Sequence, residues 1–412
     1  TYYFKSEAIN LIGTGALGTA VTVATPNTPD APSITLAIPD PNGFPFDTTA
    51  TFVAPSNNGG SAVTGYNLYY SSDDITYTSI ATATSSVISH TVGSAGTHYF
   101  KAEAISNVGT GALSSAFTIA TPTVPTIPTN LVLTSVSNTQ IDAVWSAPTN
   151  DGGSAITTYT VNLETPAGSG NWNLITTVPS TQTTYSFTGL ANDVEYQVGI
   201  FSSNNVGNNG NMAMTSEFTR PNTPVNFGVQ TVDNDSLYIG WNVTGLSTST
   251  FTVQTNYSGT WADVVTDTYA NLCIGNASGL CEYTATGLDS GSDYNFRVFN
   301  TNTGGASEFS TVANNWTLND APTGLSASTT ANTSTTANLI WTAPSGTVTG
   351  YEIQRETPVG SGWSVLVADT GNTSTSYNDT GLTLSTDYNY RISAINLGGL
   401  SLTSNTDSVG ML

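Results

Sequence analysis

Few side chains here could act on a substrate. His90 and His98 are the only imidazoles in 412 residues, so they are the only bases of the usual type that titrate near neutral pH. No G-x-S-x-G, H-E-x-x-H, G-x-x-x-x-G-K-[ST], EF-hand loop or dinucleotide-type glycine pattern accompanies them. Glu7 and Glu103 occupy equivalent places in two near-duplicate strands and are read as pointing to solvent, and nothing singles out a catalytic pair of carboxylates. The chain is therefore read as a non-enzyme, with no cofactor. Asp73-Asp74 and Asp233-Asn234-Asp235 cluster oxygen ligands of the kind that suit Ca²⁺, yet both fall where strand-connecting turns favour Asp and Asn in any case. Cys273 and Cys281, the only cysteines, are too few for a metal framework and are not a C-x-x-C pair. A local disulfide is expected, worth about 2–3 kcal/mol for so short a loop, and it fits an oxidising extracellular setting.

Charge narrows the partners further. The net charge is −22, from 28 acidic and 6 basic residues, and charged residues make up only 8%. Cations are scarce more than anions are abundant, so neither nucleic acid nor an anionic lipid surface is an expected partner. No run of about 18 apolar residues is present, which leaves no transmembrane helix. With 38% hydrophobic and 10% aromatic residues, there is enough apolar surface for folded cores.

These residues must be positioned by repeats. TYYFKSEAINLIGTGALGTAVTVATP from Thr1 nearly duplicates THYFKAEAISNVGTGALSSAFTIATP from Thr97. Weaker copies start at Tyr196, Tyr294 and Tyr388, so Tyr2, His98, Tyr196, Tyr294 and Tyr388 form one series of anchors at intervals of about 95 residues, a sandwich-domain period. Phe52, Trp145, Trp241 and Trp341 form a second series, each in an alternating run that predicts a half-buried strand. Prolines recur before each new copy, at Pro26, Pro122, Pro221 and Pro322 among others, where they end sheet pairing and stiffen a short linker. The predicted organisation is a partial repeat at 1–25 and full repeats at 26–122, 123–221, 222–318 and 319–412, all of them β.

PSNNGGSAVTGY from Pro55, PTNDGGSAITTY from Pro148 and the shorter PSGTVTGY from Pro344 lead from the second strand to the third. Gly189-Leu190, Gly287-Leu288 and Gly381-Leu382 precede Tyr196, Tyr294 and Tyr388 by a constant interval. On these marks essentially the whole chain resembles tandem fibronectin type III domains, with Gly-Gly loops similar to microbial versions of that domain. The resemblance implies immunoglobulin-like β-sandwiches, a core Trp or Phe on the second strand, and a tyrosine corner whose phenol bonds back to the backbone. Two departures stand out. Phe52 and His98 replace Trp and Tyr in 26–122, so the corner bond there must come from an imidazole or be absent. The 222–318 repeat lacks the Gly-Gly loop and carries the cysteines.

Trp172, Trp261, Trp316 and Trp363 lie outside the second-strand series. Trp172 and Trp363 follow matching turns, which favours packing within the repeats over a sugar platform. No Arg-Gly-Asp tripeptide offers an adhesive site. N-glycosylation sequons occur at Asn234, Asn242, Asn256, Asn276, Asn315, Asn332, Asn372 and Asn378, all in the last two full repeats. The opening hairpin resembles only the last two strands of a domain and would expose unpaired edges. It is completed either by strands preceding Thr1 or by a neighbour's sheet, the latter linking chains into a polymer. The expected role is structural, in an extracellular surface layer, sheath or filament built by self-association. An adhesin or receptor stalk and the ancillary modules of a secreted polysaccharide-active enzyme are the alternatives.

Overall fold

Alternation of side chains across the pleat is what builds each sheet. In the strand Phe46–Val53, Phe46, Thr48, Ala50 and Phe52 are buried while the residues between them are more exposed. In Gly96–Ser106 the inward set is His98, Phe100, Ala102, Ala104 and Ser106. The computed structural model describes residues 1–37, 45–244, 249–273, 279–329 and 335–411. Contacts concentrate in two units, one of Thr1–Val132, Ala143–Tyr185 and Gln197–Ser216, the other of Leu133–Asp142, Ser186–Tyr196 and Glu217–Leu412.

After the opening hairpin, every segment of about 95 residues contributes one three-stranded sheet and one larger sheet, all antiparallel in their resolved registers. In 26–122, Ser33–Ala37, Phe46–Val53 and Val87–Val92 form the small sheet; Gly96–Ser106 pairs with Val63–Ser71, Gly109–Thr110 and Phe117–Thr121 in the larger one, with Thr78–Ala83 at its far edge. Ile34, Ala50, Phe52 and Ile88 from the first meet Tyr66, Leu68, Phe100 and Ala102 from the second. The next segment carries the sheets Thr129–Ser137, Gln140–Ser146, Thr184–Thr188 and Trp172–Pro179, Thr158–Glu164, Glu195–Ser203, Ala213–Phe218.

In 222–318 the small sheet is Val225–Thr231, Leu237–Asn242 and Leu280–Ala285, and the core joins Leu237, Ile239 and Trp241 to Phe251, Val253, Phe296 and Val298. A single helical turn, Tyr269–Leu272, interrupts the β pattern; no sequence periodicity announced it, because four residues are too few to show one. In 319–412 Thr323–Thr329, Thr336–Thr342 and Ser376–Thr380 face the sheet built on Gly350–Glu356 and Asp387–Asn396. Leu339, Trp341, Tyr351, Ile353, Tyr390 and Ile392 lie between them.

The opening hairpin pairs Tyr2–Phe4 with Val21–Val23 and Ile9–Asn10 with Gly13–Thr14. All of its residues are exposed. Phe4 is 60% exposed, whereas Phe100, its counterpart in the duplicate, is 0% exposed.

Candidate functional site

The second-strand aromatics are core. Phe52, Trp145, Trp241 and Trp341 are all buried; Phe52 stacks on Tyr66, Trp241 is tilted against Phe251, and Trp145 and Trp341 meet Tyr159 and Tyr351 edge-on. The anchor tyrosines make the same bond three times. The backbone N–H of Ala191 donates to the Tyr196 hydroxyl at 2.9 Å, Asp289 to Tyr294 at 2.8 Å and Thr383 to Tyr388 at 3.1 Å.

His98 solves the corner differently. Its Nε2 lies 3.0 Å from the Ser94 carbonyl and 3.1 Å from the Thr121 hydroxyl, and its Nδ1 lies 2.9 Å from the Tyr70 hydroxyl. A carbonyl cannot donate, so Nε2 carries the proton and Nδ1 accepts from Tyr70. His90 stacks edge-on against Phe100. Desolvation holds both imidazoles below the ordinary value of 6.5, and at His90 the neighbouring His98 adds to the effect. The unfolded chain therefore takes up protons near pH 6.5 that the folded one resists, and stability is lost as pH falls through that value. Calorimetry between pH 7.5 and 5 is expected to move the transition of the 26–122 repeat downward, and His98→Tyr to shrink that movement.

The acidic clusters build turns. One Asp73 carboxylate oxygen accepts from the Ser71 hydroxyl and the amides of Ile75 and Thr76, while Tyr77 donates to Asp74. Asp233 accepts from the Ser236 hydroxyl and the Asp235 amide. Among the described residues no group of three or more His, Cys, Asp or Glu side chains is placed to hold a metal ion. Glu103 lies on the outward face of its strand, as expected, and is engaged there. It is half-buried and accepts from the Tyr69 hydroxyl at 2.8 Å and the Asn67 amide at 3.3 Å, because both neighbours share its face of the sheet. Glu7, in the hairpin, is exposed.

Cys273, just past the helical turn, is bonded to Cys281 in the strand Leu280–Ala285, eight residues on. Both are buried in the core. Reduction is expected to destabilise the 222–318 repeat alone by about 2–3 kcal/mol, read as a lower urea midpoint in dithiothreitol.

The extra tryptophans belong to a pattern the sequence held but did not advertise. Three residues after the anchor stand Lys101, Arg297 and Arg391, and each cation covers an aromatic ring: Lys101 over Tyr77 at 4.2 Å, Arg297 over Trp261 at 4.1 Å and Phe309 at 3.6 Å, Arg391 over Trp363 at 4.3 Å. In 123–221 that position is Gly199, where Trp172 and Met212 fill the space a side chain would take. Lys5 holds the same place in the hairpin. Aligning the six basic residues with the anchors would have revealed it. Trp316 ends the strand Ala313–Trp316, and its carbonyl accepts from Thr231.

The Gly-Gly loops receive the linkers. The Asn27 amide donates to the Gly59 carbonyl and the Thr123 amide to the Gly152 carbonyl, both at 2.7 Å. Gly59 and Gly152 have φ of +68° and +75°, and a Cβ on either would overlap the linker carbonyl of Asn27 or Thr123. Close approach, as well as turn conformation, demands glycine there. Gly152→Ala is expected to cost about 1–3 kcal/mol, measured by chemical denaturation.

Six of the eight sequons can be placed. Asn372 and Asn378 are exposed, while Asn234, Asn242, Asn256 and Asn315 are half-buried; the Nδ2 of Asn234 and of Asn315 donates to Asp320 and to the Val229 carbonyl. Asn276 and Asn332 lie outside the described residues.

Residues 126–217 and 320–408 match the family model described as fibronectin type III domain. Exoglucanase B of Cellulomonas fimi is 27% identical over 371 residues, covering 85% of this chain and 32% of that protein, so the chain spans about a third of its relative. The FN1–FN3 domains of chicken CNTN1 share 20% identity and cover 70% of this chain and 99% of theirs, with a TM-score of 0.29.

Proposed function

From a chain that carries fibronectin type III domains, in two matched segments and two further sandwiches of like strand order, we propose a run of non-catalytic spacer modules in a secreted or surface-exposed protein. The observation that carries this reading is the docking of linkers onto the repeats that follow them, through Gly59 and Gly152. A chain that spaces other parts must hold successive domains without leaving the joints to free rotation. The similarity to a protein named as an exoglucanase supports the ancillary-module form of this role. Sedimentation velocity at rising concentration, with a reducing-sugar assay on cellulose and soluble β-glucan, tests it. A monomer that releases no sugar is expected; sugar release by the pure chain would overturn the reading.

Self-association into a surface layer or filament is the second reading, favoured by the apolar surface of the hairpin. Tyr2, Phe4, Ile9, Leu11, Ile12 and Leu17 are each at least 60% exposed, a patch of the kind that marks contact sites. The four full sandwiches each contain their own closing strand. A second copy would therefore accept this hairpin along an edge, or by opening one of its own sheets. Concentration-dependent sedimentation that disappears on deletion of residues 1–25 would establish this reading in place of the first. In either setting glycan is expected at Asn372 and Asn378 before the half-buried sequons, which peptide mass mapping of native material checks.

A further inference from the structure

The turn that closes each anchor strand begins with an asparagine in three repeats, and both ends of its amide are used. Oδ1 holds the turn: Asn204 accepts from the amides of Val206 and Gly207 at 2.9 and 3.2 Å, Asn302 from Gly304 at 2.9 Å, and Asn396 from Gly398 and Gly399 at 2.9 and 3.2 Å. Nδ2 reaches out of the turn to the chain that enters the repeat. Asn204 donates to the Thr123 carbonyl at 2.7 Å and the Asp151 carbonyl at 2.8 Å. Asn302 donates to the Thr219 carbonyl and the Asp193 carboxylate, both at 2.8 Å, and Asn396 to the Thr317 carbonyl at 2.8 Å. Asn204 and Asn396 are 5% exposed, so water competes little for these bonds.

The 26–122 repeat departs from this rule. Ser106 stands at the asparagine position, and its hydroxyl is spent inside the turn, accepting from the Val108 amide at 3.2 Å and lying 3.4 Å from the Gly109 carbonyl. The entering linker nevertheless keeps its main-chain bond, Asn27 to Gly59 at the same 2.7 Å as Thr123 to Gly152. The two linkers thus share a backbone contact and differ in the amide.

We propose that the closing-turn asparagine is a clamp fixing each linker to the repeat it enters, and that Ser106 makes the joint between the opening hairpin and the 26–122 repeat the loose one. Asn10 heads the hairpin's own turn, its Oδ1 accepting from Ile12 and Gly13, so the hairpin carries the clamp residue while the repeat after it does not. The hairpin is thereby freer to move against the repeat that follows it.

Amide hydrogen exchange of the full chain tests this, with protection at Asn27 compared with Thr123. Thr123 is expected to be about tenfold better protected, the scale of a net hydrogen bond to a buried carbonyl. Asn204→Asp keeps Oδ1 for the turn and removes the donor, and is expected to lower Thr123 protection about tenfold while leaving Val198 in the core unchanged. Ser106→Asn supplies the donor and is expected to raise Asn27 protection by a similar factor. Equal protection of Asn27 and Thr123 in the unmodified chain would overturn the proposal. So would Ser106→Asn leaving Asn27 unchanged, an outcome that stays readable even if Asn204→Asp unfolds its repeat.

Discussion

Trp241→Ala is expected to destabilise the 222–318 repeat by about 3–5 kcal/mol, the range for truncating a large buried aromatic. The side chain is 0% exposed, its ring lies 5.8 Å from that of Phe251, and it sits in register with Cys281 at the foot of the disulfide. The strands on both sides are fixed, one by its ladder and the other by its ladder and the Cys273–Cys281 bond, which limits collapse into the space. A domain of this size holds roughly 5–15 kcal/mol in all, so much of its margin would go. Its calorimetric transition is expected to separate to lower temperature while those of the other repeats stay in place. The disulfide tempers only the unfolded chain, so reducing Trp241→Ala should remove a further 2–3 kcal/mol or so and leave this repeat largely unfolded at room temperature.

Arg355→Met should weaken the last repeat by about 3 kcal/mol or more. Arg355 Nη1 donates to Asp379 at 2.8 Å, and the Tyr390 hydroxyl donates to the same oxygen at 2.7 Å. The Asp379 side chain is only 5% exposed. Without the guanidinium, a buried carboxylate keeps a single neutral donor, and Tyr390 is already shifted toward its protonated form by burial and by that carboxylate. Removing one partner leaves an uncompensated charge, whereas removing both does not. Arg355→Met with Asp379→Leu is therefore expected to recover most of the loss in urea titration. A double variant as unstable as the single one would show that packing of the arginine stem, and not the stranded charge, carries the effect.

The fold was legible where the physics is local. Trp145, Trp241 and Trp341 sit in alternating runs, and alternation is enough to place a strand with one buried face. Tyr196, Tyr294 and Tyr388 were legible because each corner bond reaches back only five residues. What stayed hidden depends on partners far along the chain. Gly59 and Gly152 read as turn residues, and nothing near them announces that a linker some thirty positions upstream crosses above. The outward bonds of Asn204, Asn302 and Asn396 were hidden in the same way, since asparagine is common in turns for its own backbone bonds; the outward half of the amide becomes visible only with the linker in place. The bond to Glu103 was hidden for a similar reason, its partner Tyr69 being on the neighbouring strand.

The distribution of cations has a colloidal consequence. Lys101, Arg297 and Arg391 each cover an aromatic ring, Arg355 is paired with Asp379, and Arg220 donates to the Ser135 carbonyl. Apart from Lys5 in the hairpin, positive charge is committed within its own molecule while the chain as a whole carries −22. Apart from that lysine, two such surfaces offer one another little charge complementarity and repel beyond contact distance. Counter-ions must enter before any two copies can touch, and with screening over about 8 Å at physiological ionic strength crowding of these chains is favoured in brine and resisted in fresh water, the reverse of what a surface with free lysines would do.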